Sequence, residues 1–144
     1  MTAALNPDHP CPVYHCGRLL AVFDALQRTA LGDVGAGVVQ RYYGGALTNP
    51  SGVFGQLSRL SQYHVAKLDP GLGFFFQRRI AEIHDGIKDG YPKALRTDEQ
   101  ALFALGFWHQ TAFQNGEREA NIKAKQHRAE IQESNDTAST SREK

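Results

Sequence analysis

The sequence predicts an all-α chain, a compact bundle of four to five helices joined by short Gly/Pro turns and ending in a polar C-terminal tail. Three observations predict it. Apolar residues recur at steps of three and four through most of the chain. Glycines and prolines cluster between those runs, where helices must turn. No stretch alternates apolar and polar residues with the two-residue period of a half-buried strand. At 144 residues, 41% of them hydrophobic and 22% charged, the chain is long enough for one domain with a real core.

Residues 1–12 carry Pro7, Pro10 and Pro12 and read as an irregular lead-in. From about Val13, Leu19, Phe23, Leu26 and Ala30 line up one apolar stripe of a first helix, which Gly32, Gly35 and Gly37 should end. A short helical piece over Val38–Tyr43 stops at Gly44–Gly45. Asn49–Pro50–Ser51 opens the next helix, with proline suited to the first turn. Its inward stripe is Val53, Leu57, Leu60, His64 and Leu68, and Arg59, Tyr63 and Lys67 share a neighbouring face. Asp69–Pro70–Gly71 breaks the chain before a helix from about Phe75 to Lys88, with Phe76, Ile80, Ile83 and Ile87 aligned and Gly90–Tyr91–Pro92 at its end. Thr97 with Gln100 is a capping-box pattern, placing another helix start at about Asp98. Leu102, Leu105, Trp108, Ala112 and Phe113 cover so much of that helix that it is expected at the centre. Gly116 should close it, bounding the bundle domain at residues 13–116. Residues 117–132 read as a polar helix supported by the Glu119–Lys123 pair, and residues 133–144 as a disordered tail.

Several function classes fall away. Cys11 and Cys16 make no disulfide framework, which fits a reducing cytoplasm. The N-terminus lacks the pattern of a signal peptide, and no apolar stretch reaches a bilayer span, so a membrane is not expected as a partner. His9, Cys11, His15 and Cys16 lack a second close ligand pair, so no metal is expected, and nothing points to a cofactor. His64, His84 and His109 lie near apolar stripes, where a structural histidine is the common case. His84 and Asp85, adjacent on a helix, cannot face one site. No strand–turn–helix nucleophile context occurs, so no catalytic residue is expected and the chain does not read as an enzyme. Gly32–Gly37 follows a helix and lacks a Gly-Lys-Ser/Thr ending, which makes it a turn and not a phosphate loop.

Charge distribution is the remaining signal. From Val34 to Ile80 there are five basic residues (Arg41, Arg59, Lys67, Arg78, Arg79) against one acidic residue, Asp69, while the whole chain sums to +1. Tyr42, Tyr43 and Tyr63 are interleaved with them. Such a face suits a polyanion, since cations neutralise phosphates and tyrosine rings stack on unpaired bases. A solvated helix face with ordinary surface tyrosines, or with Tyr42 and Tyr43 in the core, accounts for the same residues.

Four strings in order, Tyr14–Leu20, Arg41–Gly44, Pro50–Lys67 and Ala104–Gln110, resemble the C-terminal region of the large subunit of the type I-C CRISPR interference complex (Cascade). In that family the region is also made as a separate small subunit from an internal start, which a Met1 followed by a loose lead-in would fit. The resemblance covers residues 13–114. It departs at Phe107–Trp108, where the family has two tyrosines, at Tyr63, where histidine is common, and at Gly55, where proline is. It implies a non-catalytic helical subunit whose copies line the inner side of a guide-RNA-bearing filament and touch target DNA. Guide pairing reads the sequence, the protein holds backbone and displaced strand, and a separate helicase-nuclease cuts. The implied partners are the guide-RNA-binding backbone subunits, the large subunit, neighbouring small-subunit copies, target DNA and guide RNA. Under this resemblance Arg41, Arg59, Lys67, Arg78 and Arg79 are the expected phosphate contacts and Tyr63 a contact to an unpaired base. The Ala104–Gln110 motif is expected to pack the bundle. The competing reading is a scaffold that touches protein alone.

Overall fold

Steps of three and four become five helices in the computed structural model, which describes residues 4–32 and 37–142. They are α1 (Pro12–Leu31), α2 (Val38–Thr48), α3 (Pro50–Ala66), α4 (Pro70–His84) and α5 (Thr97–Arg142), and no strand occurs among the described residues. The expected all-α bundle is what forms. Two units divide the chain, one reaching to Thr111 and one beginning at Ala112. No helix among the described residues is long and apolar enough to cross a membrane.

In the first unit α1 packs against α2, α3 and α4, and α3 also packs against α2 and α4. From Val13 to Phe23 every residue of α1 is buried, including His15 and Arg18. The central helix is therefore α1, not the one beginning near residue 98. A four-residue stripe understates it, because Val13, Leu20, Ala21 and Val22 add apolar atoms around the rest of the circumference. α5 buries Phe103, Gly106, Phe107 and Gln110 and leaves Leu105, Trp108 and Phe113 exposed.

α1 and the first turns of α5 meet backbone to backbone. A Cβ on Gly17 would collide with the Phe103 carbonyl, and one on Gly106 with the Tyr14 carbonyl. Glycine at both positions is a packing requirement, since any side chain would push the two helices apart.

Four boundaries differ from expectation. α2 runs through Gly44 and Gly45 to Thr48, whose hydroxyl donates to the Gly44 carbonyl at 3.0 Å, and Ala46 beyond the glycines is fully buried. α4 begins at Pro70, not Phe75: the Asp69 side chain accepts the Leu72 N–H at 3.3 Å and proline takes the first turn, so the apparent breaker is a helix start. α4 also ends at His84, with Ile87 buried in the loop that follows. α5 does not stop at Gly116 and stays helical over 117–142, including most of the stretch expected to be disordered. One interior glycine costs a helix about 1 kcal/mol against alanine. Glu117, Arg118, Glu119 and Ala120 follow it with good helix formers and no proline comes after. The turn expected at Gly32–Gly37 falls largely on residues 33–36, outside those described; Gly32 itself caps α1, its N–H bonding the Arg28 carbonyl at 2.9 Å.

Candidate nucleic-acid interface

The inner side of α3 is fixed by Phe54, Leu57, Ser61 and His64, all buried. Residues four apart advance about 40° around a helix, so Arg59, Tyr63 and Lys67 stay together on the opposite side. All three are exposed, and Tyr63 keeps 71% of its surface. Arg59 and Tyr63 line one open groove with Gln56, Leu60, Gln62 and Ala66. Lys67 caps the C-terminal end of α3, where a cation suits the helix dipole. None of Arg59, Lys67 or Arg78 makes an ion pair among the described residues. His64 adds no charge here: burial, and then the Lys67 ammonium, hold its pKa below 6.5.

α4 lies beside this face. Gln62 lines both the Arg59–Tyr63 groove and the groove between α3 and α4, and Gly73 approaches Val65 closely enough that a Cβ would sit 3.3 Å from its methyl group. Arg78 is exposed, whereas Arg79 is half-buried with its guanidinium 4.5 Å from the centroid of the Phe75 ring. That stacking orients Arg79 and holds the ring edge-on to Phe76. Phe74 and Phe75 keep 64% and 43% of their surface. Sequence reasoning passed over these two rings. The signal was present: three consecutive phenylalanines span about 200° of a helix, so a helix packed on one side must expose at least one.

The predicted residues are thus partly gathered. Arg59 and Tyr63 share a groove, Lys67 follows on the same face, and Arg78 and Arg79 stand on the adjoining helix. Arg41 is exposed on α2 and does not line the Arg59–Tyr63 groove. Tyr42 and Tyr43 pack against the core as expected. The Tyr42 hydroxyl takes a hydrogen bond from Gln56 at 3.3 Å, and Tyr43 sets its edge against Phe103 and Phe107, with burial raising its phenol pKa.

A second polar assembly sits where Tyr14–Leu20 meets Ala104–Gln110. The Nε2 atom of His15 lies 2.7 Å from the His9 carbonyl, an acceptor, so Nε2 carries the proton and Nδ1 accepts from Arg18 at 2.9 Å. Arg18 also donates through Nε to Gln110 Oε1 at 3.0 Å, and the Tyr14 hydroxyl meets His109 Nδ1 at 2.7 Å. Protonating His15 would turn a second N–H toward Arg18, and burial with that cation lowers its pKa. Burial likewise lowers Arg18, with Tyr14 and Glu82 acting against it. These groups tie α1 to α5, the packing role expected of Ala104–Gln110.

Elsewhere several reactive side chains are engaged. His84 Nε2 lies 2.6 Å from the Tyr91 hydroxyl, and burial lowers the His84 pKa. Burial pushes the Cys16 thiol up to about 12, which keeps it protonated and unreactive at neutral pH. His9 Nδ1 accepts the Cys11 N–H at 3.1 Å. No three His, Cys, Asp or Glu side chains among the described residues are arranged to hold a metal ion.

Residues 1–114 match the model of a family described as CRISPR-associated protein (Cas_Csd1). No curated protein matches the chain.

Proposed function

The chain belongs to the Cas_Csd1 family of CRISPR-associated proteins, and from that premise we propose that it is a non-catalytic small subunit of a type I-C Cascade, working in the cytoplasm to stabilise target DNA and the displaced strand. The observation that carries this reading is the exposed Arg59–Tyr63–Lys67 row on α3, with Arg78 exposed on the neighbouring α4 and no ion pair at Arg59, Lys67 or Arg78 among the described residues. Arginine and lysine there would hold phosphates, and Tyr63, with Phe74 and Phe75, would offer faces to unpaired bases. Arg79 is already drawn onto Phe75 and would act beside that ring. A modest net charge of +1 fits a subunit that shares electrostatic work with the guide-RNA-binding subunits, the large subunit and neighbouring copies of itself.

The test is an R59Q/K67Q/R78Q chain assembled into the whole complex. Each lost phosphate contact should lower the salt slope of target binding by about one. Unchanged affinity and slope would reject the assignment.

A specific observation favours a scaffold role as the second reading. Leu105 and Trp108, three apart on α5, keep 43% and 63% of their surface, as residues covered by another subunit would in an isolated chain. Comparing subunit composition with DNA affinity after removing the chain separates the two: a scaffold changes composition, and a DNA clamp changes affinity within an intact complex.

A further inference from the structure

The second unit begins at Ala112, and all but its first three residues lie beyond the family match. Its side chains from residue 118 to 138 are exposed all round. A helix in that situation is expected to pair its charges at three- and four-residue spacing. On one side this one does so: Glu119 stands four before Lys123, and His127 three before Glu130. Arg118, Lys125 and Arg128 are arranged differently. Their neighbours at three and four residues on either side are Gln114, Asn115, Asn121, Ile122, Ala124, Ala129, Ile131, Gln132 and one another, with no carboxylate among them. None of the three makes an ion pair among the described residues.

At 100° per residue, Arg118, Asn121, Lys125 and Arg128 fall within about 80° of the helix circumference. The result is a stripe of hydrogen-bond donors about 15 Å long at 1.5 Å per residue. It ends where the Gln132 amide turns to Asp136 at 3.1 Å. Setting Lys125 and Arg128 side by side without a counter-charge disfavours the helix slightly, which makes sense if an anion completes the face.

We propose that this stripe is a second nucleic-acid site, taking the sugar–phosphate backbone of a single strand. Its span matches about four phosphates at the 3.4 Å charge spacing of one strand. A lipid surface fits poorly, because the opposite side carries Glu119, Lys123, His127 and Glu130 and not the apolar face that enters a bilayer. The site uses no residue of the α3–α4 surface.

The test measures binding of the full-length chain to a fluorescent single-stranded DNA oligonucleotide across a salt series, with circular dichroism to confirm that each variant is helical. R118Q/K125Q/R128Q is expected to bind roughly ten-fold or more weakly and to lower the salt slope by up to about three. E119Q/E130Q, on the other side of the helix, is expected to bind at least as well as the parent chain. A triple variant with unchanged affinity and slope overturns the proposal, as does a parent chain that does not bind the oligonucleotide. If R59Q/K67Q/R78Q loses binding while the α5 variant does not, this site is wrong and the α3–α4 surface stands; the reverse result separates them the other way. Poly-glutamate that competes as well as a second oligonucleotide would assign the stripe to an acidic protein and also overturn it.

Discussion

Arg18 shows how a cation can be essential to this molecule without meeting a ligand. It is 6% exposed and spends its donors on Gln110 and His15. Arg18→Ala would strand both partners inside the protein, and each orphaned buried group costs about 1–3 kcal/mol, so chemical denaturation should show a loss of roughly 2–6 kcal/mol. His15, His64 and His84 all have folded pKa values below 6.5. As pH falls past 6.5 the unfolded chain takes up these protons before the native one does, so their contribution is complete above about pH 6.5 and is lost as pH falls through the folded values. A melting series from pH 8 to pH 5 should show the midpoint dropping across that window, and His84→Gln should flatten the drop. Tyr63 lies at the other extreme: Tyr63→Ala should leave the melting temperature unchanged while weakening single-strand binding by about 1–3 kcal/mol. At this scale the sequence was legible where charge sufficed, since Arg59, Lys67 and Arg78 are exposed as expected. It was not legible for Arg18, because a buried arginine is recognised by its partners, and one of them, Gln110, lies on a helix some ninety residues away.

Among the helices, proline carried more information than its reputation as a breaker allows. Pro12, Pro50 and Pro70 each occupy the first turn of a helix, yet Pro12 reads as loop and Pro70 as an interruption unless the preceding cap is recognised. Asp69 supplied that cap, one residue before the proline. Glycine misled in the opposite direction at Gly44, Gly45 and Gly116, none of which ends a helix. The glycines that matter most, Gly17 and Gly106, sit inside apolar runs where propensity alone would favour alanine. Gly17→Ala or Gly106→Ala should destabilise the first unit by more than about 3 kcal/mol, since the clash is with backbone and cannot be relieved by a rotamer change. Gly116→Ala should do the reverse, raising helicity by circular dichroism with a gain of about 0.5–1 kcal/mol.

For the molecule as a whole, its one tryptophan offers a test of the proposed assembly. Trp108 is 63% exposed, so emission from the isolated chain should be that of a solvated indole. A blue shift on joining the other subunits would place α5 in a protein contact, and unchanged emission would leave that helix face in water. The bundle class and most of its helices could be read from periodicity. Which helix sits at the centre could not, because that depends on how many neighbours surround it, and a stripe count records one face at a time.

The meeting of Gly17 with Gly106 also sets an order of events during synthesis. α1 is buried from Val13 to Phe23, yet one of its sides is completed by residues almost ninety positions later. Contacts this distant in the chain form late and slow folding. The ribosome will therefore have made α1 to α4 before the helix that closes them exists, leaving an apolar seam open on the nascent chain.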